Sequence, residues 1–166
     1  MTKDLKFNIE DYKNIKLIGA SHNKTYLARN IHNGQEYAVK VLKTYHEYFI
    51  KTQNDIMHEL YMIKKLNHPS LIKFIGFSYD SSNDSESLYL SFLFEYFKND
   101  SLRKMLENER RGNENSNMNT TKKYICLLGI SHSMSYLQKN NIIHFRLKPG
   151  NVLLDENFYP KVSDFG

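Results

Sequence analysis

The chain has 166 residues, 40% of them hydrophobic and 25% charged, a globular balance long enough for one sizeable core or for a small lobe plus part of another. Its formal charge of +5 is spread over lysines interleaved with acids rather than gathered in a basic block, so no nucleic-acid partner is expected. Cys126 is the only cysteine, which excludes an internal disulfide; no Cys/His spacing suggests a structural zinc site, and a reducing, cytoplasmic setting is expected.

Met1-Thr2-Lys3-Asp4-Leu5-Lys6 leads into polar residues and does not read as a secretory signal. The longest apolar run, Leu88 to Phe97, is about half of the ~20 residues that a membrane span needs, so no membrane partner is expected either. Ile15-Lys16-Leu17-Ile18, Thr25-Tyr26-Leu27-Ala28 and Tyr37-Ala38-Val39-Lys40-Val41-Leu42 read as three strands of an antiparallel meander, the last one after a turn at Asn33-Gly34. From Asp55 to Leu66, the residues Ile56, Leu60, Ile63 and Leu66 fall at helical spacing. His68-Pro69 ends that helix, because a residue before proline avoids the helical region. Leu71 to Phe77 and Leu88 to Phe94 are expected as two further strands, joined by the polar stretch Asp80 to Ser87, a solvated loop. Five strands and one helix make a compact lobe.

Beyond it the composition shifts. Ser101 is placed to cap a short helix starting at Leu102, and Glu109 to Asn119, rich in asparagine and charge with no apolar anchor, reads as a flexible insertion. Leu127, Ile130, Met134 and Leu137 recur at intervals of three and four, a second amphipathic helix that stops at Asn140-Asn141. Ile142-Ile143 and Val152-Leu153-Leu154 read as buried strand fragments around a polar loop. No internal repeat is visible.

Two residues stand out for chemistry. Lys40 shares a strand face with Ala38, so its ammonium is able to point into a cleft. Glu59, three residues after Ile56 and one before Leu60, is placed on the apolar face of its helix, where an unpaired charge is costly and a partner is expected.

Strand, glycine-bearing turn, strand, Ala-Val-Lys strand and acid-bearing helix, in that order, resemble the eukaryotic protein kinases, and the likeness runs from about Ile9 to Gly166. The resemblance implies an α+β fold: a five-stranded antiparallel N-terminal lobe with one main helix over residues 9–97, then an incomplete helical C-terminal lobe over 98–166 with 109–119 as an insertion. It also implies that Lys40 reaches the α- and β-phosphates of ATP, that Glu59 pairs with Lys40, and that Gly19 and Ala38 border the nucleotide. Phe94-Glu95-Tyr96-Phe97 resembles the hinge whose backbone takes adenine, which makes Glu95 and Phe97 candidate ATP contacts and Phe94 the gatekeeper; for Phe92, core packing is the better reading. Asn99-Asp100-Ser101-Leu102 is similar to the Asn-Gly-Ser-Leu of the tyrosine-kinase-like group.

His144-Phe145-Arg146-Leu147-Lys148-Pro149-Gly150-Asn151 is similar to the kinase catalytic loop, His-Arg-Asp-Leu-Lys-Pro-x-Asn, and agrees at His144, Leu147, Lys148, Pro149 and Asn151. The likeness implies Lys148 near the γ-phosphate, and Asn151 with Asp164 of Asp164-Phe165-Gly166 as ligands of Mg2+, a hard cation that prefers oxygen.

The pattern breaks in three places. Arg146 stands at the catalytic aspartate position, and a guanidinium that stays charged is no general base; losing a positioned base commonly costs on the order of 100- to 10,000-fold. Phe145 replaces the family arginine that in many kinases meets a phosphorylated activation loop. Gly19-Ala20-Ser21-His22-Asn23-Lys24-Thr25 keeps one glycine of Gly-x-Gly-x-x-Gly, so weaker phosphate cradling is expected. Nothing follows Gly166 in this sequence, so the activation segment and the peptide-binding helices are expected to be missing and the apolar face of the 127–137 helix partly exposed.

The leading expectation is a kinase-like domain that binds ATP with Mg2+, is catalytically impaired, and has a signalling or scaffold role. The rivals are an active serine/threonine-type kinase that transfers the γ-phosphate to protein hydroxyls, and an interaction scaffold with no nucleotide. The protein partner or substrate is not named by the sequence.

Overall fold

The computed structural model describes residues 6–20, 23–81, 87–113 and 118–164. Its backbone divides into two compact units, one of Met1–Leu66 with Lys73–Tyr96 and one of Asn67–Ile72 with Phe97–Gly166.

The first unit is an antiparallel sheet of β1 (Tyr12–Ala20), β2 (Lys24–Asn30), β3 (Glu36–Tyr45), β4 (Phe74–Ser81) and β5 (Ser87–Glu95), in the order β1-β2-β3-β5-β4, with helix α1 (His46–Lys65). The hairpin between β2 and β3 turns where expected, with Gly34 at φ 71°, a conformation that suits glycine. The strands outrun the apolar pattern: Asp80, Ser81 and Ser87, expected in a solvated loop, are strand residues, with Ser81 opposite Leu88 and Ser87 opposite Tyr45. Ladder hydrogen bonds are made by the backbone, so polar residues continue a strand that apolar neighbours have started. Residues 82–86 of that loop lie outside the described residues. Conversely, Leu71 is no part of β4; it makes an isolated bridge to Val162 in the second unit. Helix α1 starts nine positions before the expected Asp55, because its N-cap is Tyr45, whose side chain makes no capping bond and leaves no signal in the sequence.

Both faces of this sheet are covered. On one, Ala28, Tyr37, Val39 and Leu93 pack with Phe7, Ile9 and Tyr12, and the rings of Phe7, Tyr12 and Tyr37 meet edge to face at 5.2 and 5.4 Å. On the other, Leu60 of α1 joins Phe74 and Phe77, flanked by Ile56, Ile63, Phe92 and Phe94. Phe74 and Phe77 are an odd number of residues apart yet share this face, because the register slips between Phe74 and Gly76 and turns Ile75 to the opposite side.

The second unit holds α2 (Leu102–Arg110), α3 (Thr120–Lys139) and a hairpin of β6 (Val152–Leu154) and β7 (Pro160–Val162). Ser101 is the N-cap of α2 as expected, though its side chain makes no capping bond. Asn119 caps α3, its side-chain oxygen accepting from Lys122 N at 3.0 Å. The hairpin turns on Asp155, whose Oδ1 accepts from Asn157 N and Tyr159 N, both at 2.9 Å, and on Phe158 at φ 65°. Nothing in the apolar pattern pointed to β7, and Ile142-Ile143, expected as a strand, is irregular with Ile143 exposed.

The core of this unit corrects two expectations. Met118, within the stretch read as having no apolar anchor, is buried with Cys126, Leu154 and Phe158, and Glu109 and Arg110 belong to α2; residues 114–117 lie outside the described residues. The buried positions of α3 are Cys126, Ser133 and Leu137, while Leu127, a member of the expected stripe, is 63% exposed. A small-residue face escaped the count of large apolar side chains: Gly129 lies where β7 approaches. Burial pushes the Cys126 thiol up to about 11. His68, which accepts from Ser70 N at 3.1 Å and lies 5.2 Å from the Tyr136 ring, is lowered by burial and then by repulsion from His132 and Lys161.

A Cβ at Gly129 would lie 2.6 Å from Pro160 Cγ and 2.7 Å from Ser70 Oγ. The serine is able to rotate away; the proline ring is not. Gly129→Ala is expected to destabilise by about 1–3 kcal/mol, read as a lower urea midpoint, and an unchanged midpoint would contradict this packing.

Candidate functional site

In the first unit, strand register gathers several of the residues singled out by the sequence. Gly19 is opposite Thr25, Thr25 is opposite Lys40, and Lys40 is opposite Phe92, so these four form one row across β1, β2, β3 and β5. Adjacent strands lie about 4.8 Å apart, which puts the Gly19 backbone roughly 10 Å from that of Lys40. The next row on the same face holds Ala38 opposite Phe94, and Phe94 opposite Phe74, whose rings meet edge to face at 5.5 Å. Lys40 and Ala38 are half-buried on the side that α1 covers. Glu95 closes β5 with its carboxylate accepting from Lys73 N at 2.7 Å and its own N–H donating to Lys73 O at 3.2 Å. Ser21 and His22 of the glycine-poor turn lie outside the described residues.

Glu59 departs from its expected place. It is exposed, because successive residues sit about 100° apart around a helix and Leu60, not Glu59, points at Phe74 and Phe77. Its carboxylate is solvated, so the buried-charge argument for a compulsory partner does not hold there.

In the second unit, the loop read as catalytic is closed on itself by hydrogen bonds. Arg146 N donates to His144 O at 2.6 Å. Asn151 Nδ2 donates to Arg146 O at 2.8 Å, and Asn151 N donates to Lys148 O at 2.9 Å, as Pro149–Asn151 forms a single 3₁₀ turn. Asn151 is 8% exposed and His144 5%, whereas Arg146 and Lys148 are exposed. Phe145 holds φ 53° at 84% exposure, a left-handed aromatic that costs of order 1–3 kcal/mol and that no periodicity argument reveals.

Asn151 and Asp164 come together through a residue that sequence reasoning passed over. Ser163 donates to Asn151 O twice, from its backbone N at 2.8 Å and from Oγ at 3.0 Å, and Asp164 follows directly at φ 65°. Its only signal was its place before Asp-Phe-Gly. With Nδ2 committed to Arg146 O, Asn151 keeps Oδ1 as an acceptor. Among the described residues no group of three or more His, Cys, Asp or Glu is gathered to hold a metal. The amide oxygen of Asn151 and the carboxylate of Asp164 are of the oxygen type that a hard cation prefers. Phe97, in this unit, has Lys161 Nζ 5.5 Å from its ring centre.

A depression of about 440 Å³ on β1 and β2, lined by Lys13, Ile15, Arg29 and Ile31 among others, holds none of these residues. Among the described residues no helix is long and apolar enough to cross a membrane.

Residues 12–166 match the family model described as "Protein kinase domain". The chain is 31% identical over 145 residues to the leaf rust 10 disease-resistance locus receptor-like protein kinase-like 2.1 of Arabidopsis thaliana, covering 86% of this chain and 20% of that protein. It is 35% identical over 137 residues to the protein suppressor of NPR1-1 constitutive 4 of the same plant, covering 81% and 11%, and 28% identical over 144 residues to its PR5-like receptor kinase, covering 85% and 20%. The chain thus spans a fifth or less of the length of these relatives. Taken with the sheet order and the closed loop around Asn151, the match over nearly the whole chain means that this protein belongs to the protein kinase domain family.

Proposed function

We propose that the chain binds ATP together with Mg2+ and is impaired in phosphoryl transfer, so that its role in signalling is carried by binding. The observation that supports this most is the way Arg146 is used. Its carbonyl, not its side chain, takes the Asn151 amide, so an arginine at the position of the base leaves the hydrogen bonds of the loop in place. Ser163, directly before Asp164, donates twice to Asn151 O and so ties the two candidate ligand positions together along the backbone. In this reading Lys40 pairs with the phosphates, the Gly19 turn approaches them with one glycine, and the backbone from Glu95 to Phe97 takes the base. Asn151 and Asp164 would hold Mg2+, which would supply neutralisation of phosphate charge. What is lost is proton acceptance from a hydroxyl, since no acid stands between His144 and Asn151. Phe94 beside Phe74 narrows the space behind the base.

Thermal melting tests this. ATP at about 100 times its dissociation constant stabilises by roughly 2.7 kcal/mol, a rise of several degrees in Tm for a chain of this size. The wild type is expected to show that rise with ATP and Mg2+, and Lys40→Ala to lose it, each protein being compared with its own melt without ligand. No rise for the wild type would overturn the proposal and favour a nucleotide-free scaffold.

A further inference from the structure

In the second unit, Asn67–Ile72 forms a strap, the stretch of chain that runs from the end of α1 to the start of β4. Along β7 it is held by a parallel bridge between Leu71 and Val162: Ile72 N donates to Val162 O at 2.9 Å, and Val162 N donates to Ser70 O at 2.8 Å. Its other end is held by α3, where Asn67 N donates to the Tyr136 hydroxyl at 3.1 Å and the Tyr136 ring lies 5.2 Å from that of His68. Between these fastenings the strap turns on His68, whose Nδ1 accepts from Ser70 N at 3.1 Å and whose carbonyl accepts from Leu71 N at 3.0 Å. Nδ1 accepts through its lone pair, so the ring in this arrangement is neutral and carries its proton on Nε2. The charged or titratable groups that face it are His132 and Tyr136 from α3 and Lys161 from β7.

We propose that His68 is an acid-released latch: a second proton on its ring unfastens the strap Asn67–Ile72 from α3 and β7. That proton takes the lone pair of Nδ1, so Ser70 N loses its acceptor and two donors are left facing each other. Pro69 has no N–H, so Ser70 N is the first amide after His68 able to hold the turn. Ser70 O is also the acceptor for Val162 N, so a shift of Ser70 is passed to the pairing with β7. The new charge stands near Lys161 and near His132, which itself gains charge as the pH falls. Burial first, then repulsion from His132 and Lys161, holds the ring below its ordinary value of 6.5, so the fastened strap binds fewer protons than the released one. The fastened state is therefore favoured in full above that value and loses ground as the pH falls below it. The latch needs no nucleotide and does not depend on the ATP reading.

Hydrogen exchange of the full chain, with each rate corrected for its intrinsic dependence on pH, tests the latch on the wild type and His68→Asn. In the wild type, protection of the Ser70, Ile72 and Val162 amides should fall by about 2- to 10-fold between about pH 7.5 and about pH 5, the range for one lost hydrogen bond. Protection around Cys126 in α3 should hold over the same span. His68→Asn keeps an oxygen acceptor for Ser70 N, as in an Asx turn, and carries nothing that titrates, so its strap should stay equally protected throughout. A second measurement uses the wild type alone: the His68 ring, followed by NMR, should titrate below 6.5. An unchanged strap in the wild type, an equal fall in His68→Asn, or a fall of the same size around Cys126 would overturn the latch. So would a His68 ring that titrates at or above its ordinary value, because its proton would then favour the fastened strap.

Discussion

Phe77→Ala is expected to destabilise the protein by about 3–5 kcal/mol, the range for removing a buried aromatic side chain. Phe77 is fully buried, sits with Leu60 and Phe74 at the centre of the cluster under α1, and lies opposite Phe92 in β5. Its carbonyl also accepts from Phe7 N at 3.1 Å, so the N-terminal segment is fastened at the same residue. A cavity here opens beside the strand pair that aligns Lys40 with Phe92, and relaxation of β5 into it would shift that row. Urea unfolding followed by far-ultraviolet circular dichroism measures the loss. A midpoint equal to the wild type would contradict the assignment of this cluster as the core of the first unit.

The second large effect belongs to Leu154. It is fully buried among Met118, Cys126 and Phe158, and its strand begins directly after Asn151. Leu154→Ala should cost about 2–5 kcal/mol. Its consequence for the site should show in hydrogen exchange: the amides of Asn151 and Ser163, which donate to Lys148 O and Asn151 O, should lose protection ahead of those in the middle of α3. Cys126 offers a second readout, because a thiol held up to about 11 by burial is nearly unreactive at neutral pH and becomes reactive once the cluster opens. Unchanged protection at Asn151 and Ser163 would mean that the loop is held without help from this core.

How far the residues alone revealed this arrangement varies with the kind of signal. Strands β2, β3 and β5 announced themselves through runs of β-branched, aromatic and leucine residues, and the turn at Asn33-Gly34 marked the hairpin. α1 was found only over its second half, since its first turns carry neither a capping residue nor a clean apolar stripe. In α3, counting large apolar side chains picked Leu127, whereas the helix buries small residues, Cys126 and Ser133, around Gly129. Met118 was masked by its polar neighbours.

Motif spacing singled out Lys40, Asn151 and Asp164 as candidates, but geometry carried by the backbone was invisible to it. That Asn151 leans on the Arg146 carbonyl, that Ser163 joins Asn151 to Asp164, and that Phe145 adopts a left-handed conformation are facts of hydrogen bonding and φ that leave no mark on composition. Glu59 shows the opposite failure, in which spacing suggested burial but one residue of helical rotation turns the carboxylate to solvent.

The central claim is that nucleotide binding has outlasted the loss of the base at Arg146. Calorimetric titration of the purified chain with ATP and Mg2+ tests it most directly. The account predicts saturable binding of one ATP per chain, abolished by Lys40→Ala; the absence of any saturable heat from a folded wild-type chain would contradict it.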